Sequence, residues 1–339
     1  ARAMAHSPKL LILDEPTSSL SENEAKRLFL LLEKLKKQGV AILYISHRMS
    51  DINSIADRIV AMRDGTISGL FENKPLDYEG AVTAMLGQKL SQATIKTNKR
   101  KRVVLNLEGI KLSDSSNPFD LSFYENEIVS ITGLIGSGKT NLASEIFGLN
   151  NNSKTKMTLN ANSYSPKSPK EAIAAGVFMC PKDRASNAIV SEFDISNNLA
   201  LPFFKRHSRL SFLHTKTLRK NAKNSIDNLG IVCQSEMDSV TTLSGGNQQK
   251  VMVGRWLAEE SSVLLLDEPF QGVDIKARRD IGLQIRSTSG QRATLIFVAE
   301  LDEALEIADR VIVLHEGNLV GEFQNESKNV PEIVSSFSG

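Results

Sequence analysis

The chain has 339 residues, with 41 Lys plus Arg against 39 Asp plus Glu and a formal charge of +2. That length suggests about two domains, and the charge balance excludes a globally basic nucleic-acid binder and an acidic disordered chain. Its 41% apolar and 24% charged residues suit a globular protein with a core, and its two cysteines, Cys180 and Cys233, are too few for a zinc cluster or a disulfide framework, which points to a reducing, cytoplasmic setting.

Residues 10–13 form a short apolar run that predicts a strand. Ser21-Glu22-Asn23-Glu24 is a capping-box pattern that opens a helix. Leu28, Leu31, Leu32 and Leu35 then recur at i, i+3, i+4 and i+7, and Gly39 is placed to stop it. Residues 40–45, apolar and rich in β-branched side chains, predict the next strand, so strand, helix and strand imply a parallel sheet. Residues 91–103 are polar and basic without periodicity, and are expected to be a linker between domains at 1–90 and 104–339. The longest apolar runs, at 10–13, 40–45 and 263–266, fall far short of the ~20 residues of a membrane span. No basic-then-apolar leader is visible.

The next segment carries the clearest chemistry. Gly133-Leu134-Ile135-Gly136-Ser137-Gly138-Lys139-Thr140 fits GxxxxGK[ST], after an apolar run at 128–131 and before a helix-like stretch at 141–147. The glycines let backbone N–H groups converge on phosphate oxygens, and the following helix adds its positive end. Lys139 would neutralise β/γ-phosphate charge and Thr140 would ligate Mg²⁺.

The two ends of the chain repeat one another. Leu11-Ile12-Leu13-Asp14-Glu15-Pro16 matches Leu264-Leu265-Leu266-Asp267-Glu268-Pro269, and Ile55-Ala56-Asp57-Arg58-Ile59-Val60 matches Ile307-Ala308-Asp309-Arg310-Val311-Ile312, at nearly one offset. A duplicated domain is the expectation. Each copy ends an apolar strand in Asp-Glu. Asp14 and Asp267 could hold Mg²⁺ through water, while Glu15 and Glu268 could polarise an attacking water as general bases. Alone, such a pair is more often a strand-end cap or solvated turn; beside a phosphate loop in a duplicated frame the functional reading dominates.

Thr242-Leu243-Ser244-Gly245-Gly246-Asn247-Gln248-Gln249-Lys250 resembles the signature motif of ABC-type ATPases. Its Asn-Gln-Gln-Lys continuation is similar to the simple-sugar (ribose-type) branch of ABC importers, whose ATPase subunit carries two nucleotide-binding domains in one chain. Met179-Cys180-Pro181-Lys182-Asp183-Arg184 resembles that branch's Pro-Glu-Asp-Arg segment with Lys182 in place of Glu. Pro16-Thr17-Ser18-Ser19-Leu20 and Ile45-Ser46-His47-Arg48 are similar to a D-loop and a switch histidine. The resemblance implies an α/β P-loop NTPase fold with a mixed, mainly parallel sheet and a helical signature subdomain, present twice. It implies ATP and Mg²⁺ as ligands. Partners implied are membrane permease subunits and, indirectly, a periplasmic or extracellular solute-binding protein, with the chain peripheral on the cytoplasmic face of the membrane and no nucleic-acid role.

In that family each signature closes the ATP held by the partner domain's phosphate loop. By the offset of the repeat, the first domain's signature and phosphate-loop lysine map upstream of residue 1, so the chain is expected to lack on the order of 150 residues of its first domain. One composite site would then use Asp14, Glu15 and His47, closed by Ser244, Gly245 and Gly246. The other would use Gly133, Gly136, Ser137, Gly138, Lys139, Thr140, Lys182, Asp267 and Glu268. Ala299 stands where the first copy has His47, so the second site is expected to bind Mg-ATP but turn it over slowly. Phe203 and Phe204 are either an exposed permease anchor or core. Soluble ABC types fit less well: no long charged helical linker, zinc cysteines or heptad array is present. A soluble tandem ATPase remains the runner-up.

Overall fold

A computed structural model describes residues 8–14, 16–17, 22–46, 49–63, 65–72, 76–77, 80–81, 84, 102–133, 136–150, 155–182, 188–206, 208–209, 212–326, 329, 332–333 and 336. The chain divides into two compact units, Ala1–Thr94 and Ile95–Gly339.

The first unit runs β1 (Leu10–Asp14), α1 (Glu22–Lys37), β2 (Ala41–Ile45), α2 (Met49–Ile55), β3 (Ile59–Arg63) and β4 (Thr66–Phe71). β1 and β2 pair in parallel, Leu10 opposite Ala41 and Asp14 opposite Ile45, so a crossover must join them and α1 supplies it. Lys34, Lys36 and Lys37 occupy the last turn of α1, where cations meet the negative end of the helix dipole. Gly39 then reverses the chain at φ 85°, a conformation that favours glycine. Leu32 and Leu35 are buried against Leu11, with Leu28 packed beside them. Leu31, expected on the same face, is 46% exposed. At 100° per residue it lies on the edge of the apolar stripe, which here is narrower than the spacing suggested. On the sheet, Leu10, Ile12, Leu43 and Ile45 alternate with the packed residues and are exposed.

The second unit runs β5 (Val103–Ile110), β6 (Phe119–Tyr124), β7 (Glu127–Thr132), α3 (Lys139–Ile146), β8 (Lys156–Leu159), β9 (Asn162–Tyr164), α4 (Pro169–Ala174) and β10 (Val177–Cys180). It continues with α5 (Ile195–Ala200), β11 (Ser208–Arg209), β12 (Phe212–Leu213), α6 (Thr215–Leu229) and α7 (Gly245–Leu257). It ends with β13 (Val263–Asp267), α8 (Ile275–Ser287), β14 (Ala293–Val298), α9 (Leu301–Ile307), β15 (Arg310–His315) and β16 (Asn318–Gln324). The central sheet has the order β10-β13-β14-β7-β15-β16; its pairings are parallel except the last. A separate antiparallel sheet, β6-β5-β8-β9, shares a core with one face of the central sheet.

Alternation along the buried strands sorts the two cores. Val129, Ile131, Leu265 and Phe297 pack with Leu142 and Ile146 of α3, whereas Ile128, Leu264, Leu266 and Ile296 pack with α8 and Trp256. Strands buried on both faces read as continuous apolar runs, which is why β13 was legible without alternation. Phe203 joins this second core, its ring 5.0 Å from Phe178 and 5.8 Å from Trp256, so it is core rather than an exposed anchor. A third cluster, with Ile195, Leu199, Ala222, Leu229, Leu243 and Val251, holds α5, α6 and α7 together as the helical part. Arg255, 3% exposed, ties that part down: its guanidinium donates to the carbonyls of Asn198 and Ala188, each at 2.6 Å, and to Asn198 Oδ1 at 3.1 Å.

The units have matching local geometry. β13 pairs with β14 as β1 pairs with β2, the strand-end Asp267 opposite Phe297 as Asp14 is opposite Ile45. The β3–β4 and β15–β16 hairpins each carry a register shift, between Ala61 and Met62 and between Val313 and Leu314. Each hairpin is also tied by an arginine–glutamate pair: Arg58, just before β3, meets Glu72, just after β4, at 3.2 Å, and Arg310 on β15 meets Glu322 on β16. Among the described residues no helix is long and apolar enough to cross a membrane.

Candidate nucleotide site

The loop after β7 turns through Gly133, Gly136 and Gly138, all at positive φ. A side chain at Gly133 would collide with the Leu314 carbonyl oxygen, and one at Gly138 would press within 3.0 Å of Leu112. The Gly317 N–H donates to the Ser137 carbonyl at 3.1 Å, so the β15–β16 turn braces the loop from behind. Gly138 caps α3 without a side-chain hydrogen bond, leaving the first-turn N–H groups open to an anion. The Ser137 hydroxyl is buried and has no hydrogen-bond partner. A donor-lined cradle with an unsatisfied hydroxyl fits a phosphate chain.

Lys139 opens α3 and is 9% exposed. Its Nζ donates to the Val298 carbonyl at 2.7 Å and stands 3.8 Å from Glu268 Oε1. Burial lowers its pKa; the Glu268 carboxylate opposes that and the Lys182 ammonium adds to it. Asp267 ends β13, and its carboxyl accepts a hydrogen bond from the Thr140 hydroxyl. Burial pushes the Asp267 carboxyl up to about 6; Glu268 adds to the rise, while Lys182, Lys139 and the Thr140 hydrogen bond oppose it. Thr140 and Asp267 thus form the hydroxyl-carboxylate pair that a hard cation would use. Glu268 is held at φ 48°, its N–H on the Phe297 carbonyl at 2.8 Å and its Oε2 accepting from the Ala299 N–H at 3.3 Å.

The raised Asp267 carboxyl has a consequence for stability. The unfolded chain loses this proton near 3.8 and the folded one near about 6. Between those values the folded state binds the more protons, so stability falls as pH rises and the full cost persists above. That cost is about 3 kcal/mol at neutral pH. Asp267→Asn should therefore raise the thermal midpoint of the nucleotide-free protein on the order of 5 °C above about pH 7, with no gain below about pH 4. Thermal unfolding across pH checks this, and a lower midpoint at neutral pH would contradict it.

These groups come together because four loops leave the same edge of the parallel sheet. The glycine loop follows β7, Lys182 follows β10, Asp267 and Glu268 end β13, and Ala299 follows β14. The carboxyl edge of such a sheet is the usual place for ligands. The strand registers also set Ala299 two residues beyond Phe297, as His47 stands two beyond Ile45.

Ser244, Gly245 and Gly246 are not joined to this cluster. Ser244 is the exposed N-cap of α7; its hydroxyl accepts from the Asn247 N–H at 3.4 Å and from Asn247 Nδ2 at 3.0 Å. Asp14 lies in the first unit, at the exposed end of β1. Glu15 and His47 lie outside the described residues. Sequence reasoning missed Gln249, whose Nε2 donates to the Pro269 carbonyl at 2.8 Å and so links the signature helix to the turn after Glu268. It also missed the Val298 carbonyl under Lys139 and the Gly317 brace. Each ends on a backbone carbonyl distant in sequence and has no local motif. Both cysteines are free, and the described residues hold no group of three or more potential metal-binding His, Cys, Asp or Glu side chains.

A glycine loop feeding a helix, with its lysine among strand-end carboxylates on a parallel sheet, is the architecture of a P-loop NTPase. The family model described as ABC transporter matches residues 116–271. The chain is 36% identical to the ribose import ATP-binding protein RbsA 2 of Rubrobacter xylanophilus, over 100% of this chain and 66% of that protein. It is 34% identical to the galactose/methyl galactoside import ATP-binding protein MglA of Fusobacterium nucleatum, over 98% of this chain and 68% of that one. A crystallised ATP-binding cassette of an ABC transporter superposes with a TM-score of 0.60 at 21% identity, over 70% of this chain and 100% of the cassette. The chain therefore belongs to the ATP-binding proteins of ABC transporters, which are ABC-type ATPases. It spans about two thirds of the length of the curated relatives it matches.

Proposed function

We propose that this chain is part of an ATP-binding and hydrolysing subunit that energises import of a simple sugar or related small solute. The observation that carries this reading is the similarity, across the whole chain, to import ATP-binding proteins named for ribose and galactose. Its partners on this reading are permease subunits and, through them, a solute-binding protein, with the subunit on the cytoplasmic face of the membrane. The solute is selected elsewhere, because the ATPase never touches cargo.

The domains on this reading are 1–90, the C-terminal part of a first nucleotide-binding domain; 91–103, a linker; and 104–339, a second such domain. Two observations favour the first assignment. The matched strand registers and hairpins of the two units are those of a repeat. The apolar face of Leu10, Ile12, Leu43 and Ile45 is left exposed, whereas a parallel sheet is ordinarily covered on both sides. The partner for that face is the remainder of the same domain.

In the second domain, the loop N–H groups and the Ser137 hydroxyl bind the phosphates, and Lys139 leaves the Val298 carbonyl to neutralise them. Mg²⁺, held by Thr140 and Asp267, would neutralise charge on the β- and γ-phosphates. Glu268 occupies the position of the water-orienting carboxylate, with its Oε2 taken by the Ala299 N–H and its Oε1 beside Lys139. By the repeat, Asp14, Glu15 and His47 are the first domain's counterparts of Asp267, Glu268 and Ala299.

The test is ATPase activity of the full-length subunit with its permease in proteoliposomes, with and without sugar-loaded binding protein. Stimulation of several-fold by the loaded binding protein is expected. ATPase activity indifferent to permease and binding protein would favour a soluble tandem ATPase.

A further inference from the structure

Lys182 is a described site residue to which neither the phosphate grip nor the cation pair gives a role. It follows β10, whose partner β13 ends in Asp267, with Cys180 paired to Leu266. Two residues beyond that pair, it sits at the sheet edge beside the acidic turn. Its side chain is exposed at the rim, and its ammonium acts electrostatically on both Lys139 and Asp267. An ammonium group has three donors and no acceptor, so it cannot ligate a metal. Lys139 thus meets Glu268, and Lys182 acts on Asp267, so two positive charges stand at the acidic turn where triphosphate charge must be neutralised.

We infer that Lys182 supplies a fixed positive charge on the Asp267 side of the site and lets it hold a nucleoside triphosphate with little dependence on a divalent cation. The inference rests on the reading of this site as a nucleotide site. Two effects follow from one charge. Lys182 attracts the phosphate oxygens a divalent cation would screen, and by like-charge repulsion it weakens cation binding at Thr140 and Asp267. The charge stands at a solvent-exposed rim, so the effect is moderate and salt-sensitive. The site then keeps its nucleotide through swings in free Mg²⁺, as suits a site that holds ATP longer than it turns it over.

Equilibrium titration of the full chain with a fluorescent N-methylanthraniloyl ATP, in Mg²⁺ and in EDTA at low salt, tests this. The expected result is that chelation weakens binding to the parent chain by no more than about threefold, and to Lys182→Gln by about tenfold or more. Lys182→Arg should behave as the parent, since it keeps the charge. The exposed position of Lys182 makes a folding defect an inadequate explanation, and an unchanged thermal midpoint for Lys182→Gln checks that. Equal chelation sensitivity of parent and Lys182→Gln overturns the inference while leaving the nucleotide site intact. Absence of binding in both media overturns the nucleotide reading itself.

Discussion

Lys139→Ala should weaken binding of a fluorescent ATP analogue by at least about 100-fold, the largest loss expected from any single change in the second unit. Nζ is buried, so its charge acts on phosphate through a medium less polar than water. Among the described residues no other ammonium shares the cradle, since Lys182 stands at the rim. The fold should tolerate the change. Burial already disfavours the charged lysine, and the Val298 carbonyl that it serves ends a strand whose pairing to β7 and β13 is otherwise intact. A thermal midpoint within a few degrees of the parent is therefore the companion result. Lys139→Arg should not restore binding, because a rigid planar fork cannot replace a compact ammonium in a tight loop. Binding within about threefold of the parent for Lys139→Ala would mean that the loop does not hold phosphate.

How much of this site was legible beforehand depended on how local its causes are. The glycine loop is eight consecutive residues whose conformational needs are written in their identities, and the structure realises them at Gly133 and Gly138. Asp267 and Glu268 were legible because an apolar strand must end somewhere and the acids mark the end. Leu31 was misplaced because periodicity gives a stripe but not its width; neighbours decide the width. The antiparallel sheet of β5, β6, β8 and β9 escaped notice, since its strands carry no motif and its two halves are joined only where β5 pairs with the distant β8. Gln249 on the Pro269 carbonyl and Gly317 on the Ser137 carbonyl escaped for the same reason. They join segments 20 and about 180 residues apart by ending on backbone carbonyls, which every sequence possesses.

In the full-length subunit assembled with its permease, Glu15→Gln should lower steady-state ATPase activity by about 100-fold, whereas Glu268→Gln should lower it by no more than about threefold. The first figure is what loss of a general base costs. The asymmetry comes from the residue two places beyond the strand register. In the first copy it is His47, able to donate to a γ-phosphate oxygen; in the second it is Ala299, whose methyl group cannot. Ala299 offers only its backbone N–H, and that is engaged by Glu268 Oε2. The carboxylate meant to polarise water is thereby held against the sheet, and its other oxygen lies beside Lys139. A base so tied is a poor acceptor for a water proton, so its conversion to an amide removes little. Glu15 is expected to work beside His47 and to carry most turnover. If the ranking reverses, Glu268 is the effective base despite Ala299, and the division of labour between the two composite sites falls. Restoring histidine supplies the complementary arm. Ala299→His should raise the residual ATPase of the Glu15→Gln protein several-fold, and no rise would mean that the missing imidazole is not what limits the second site.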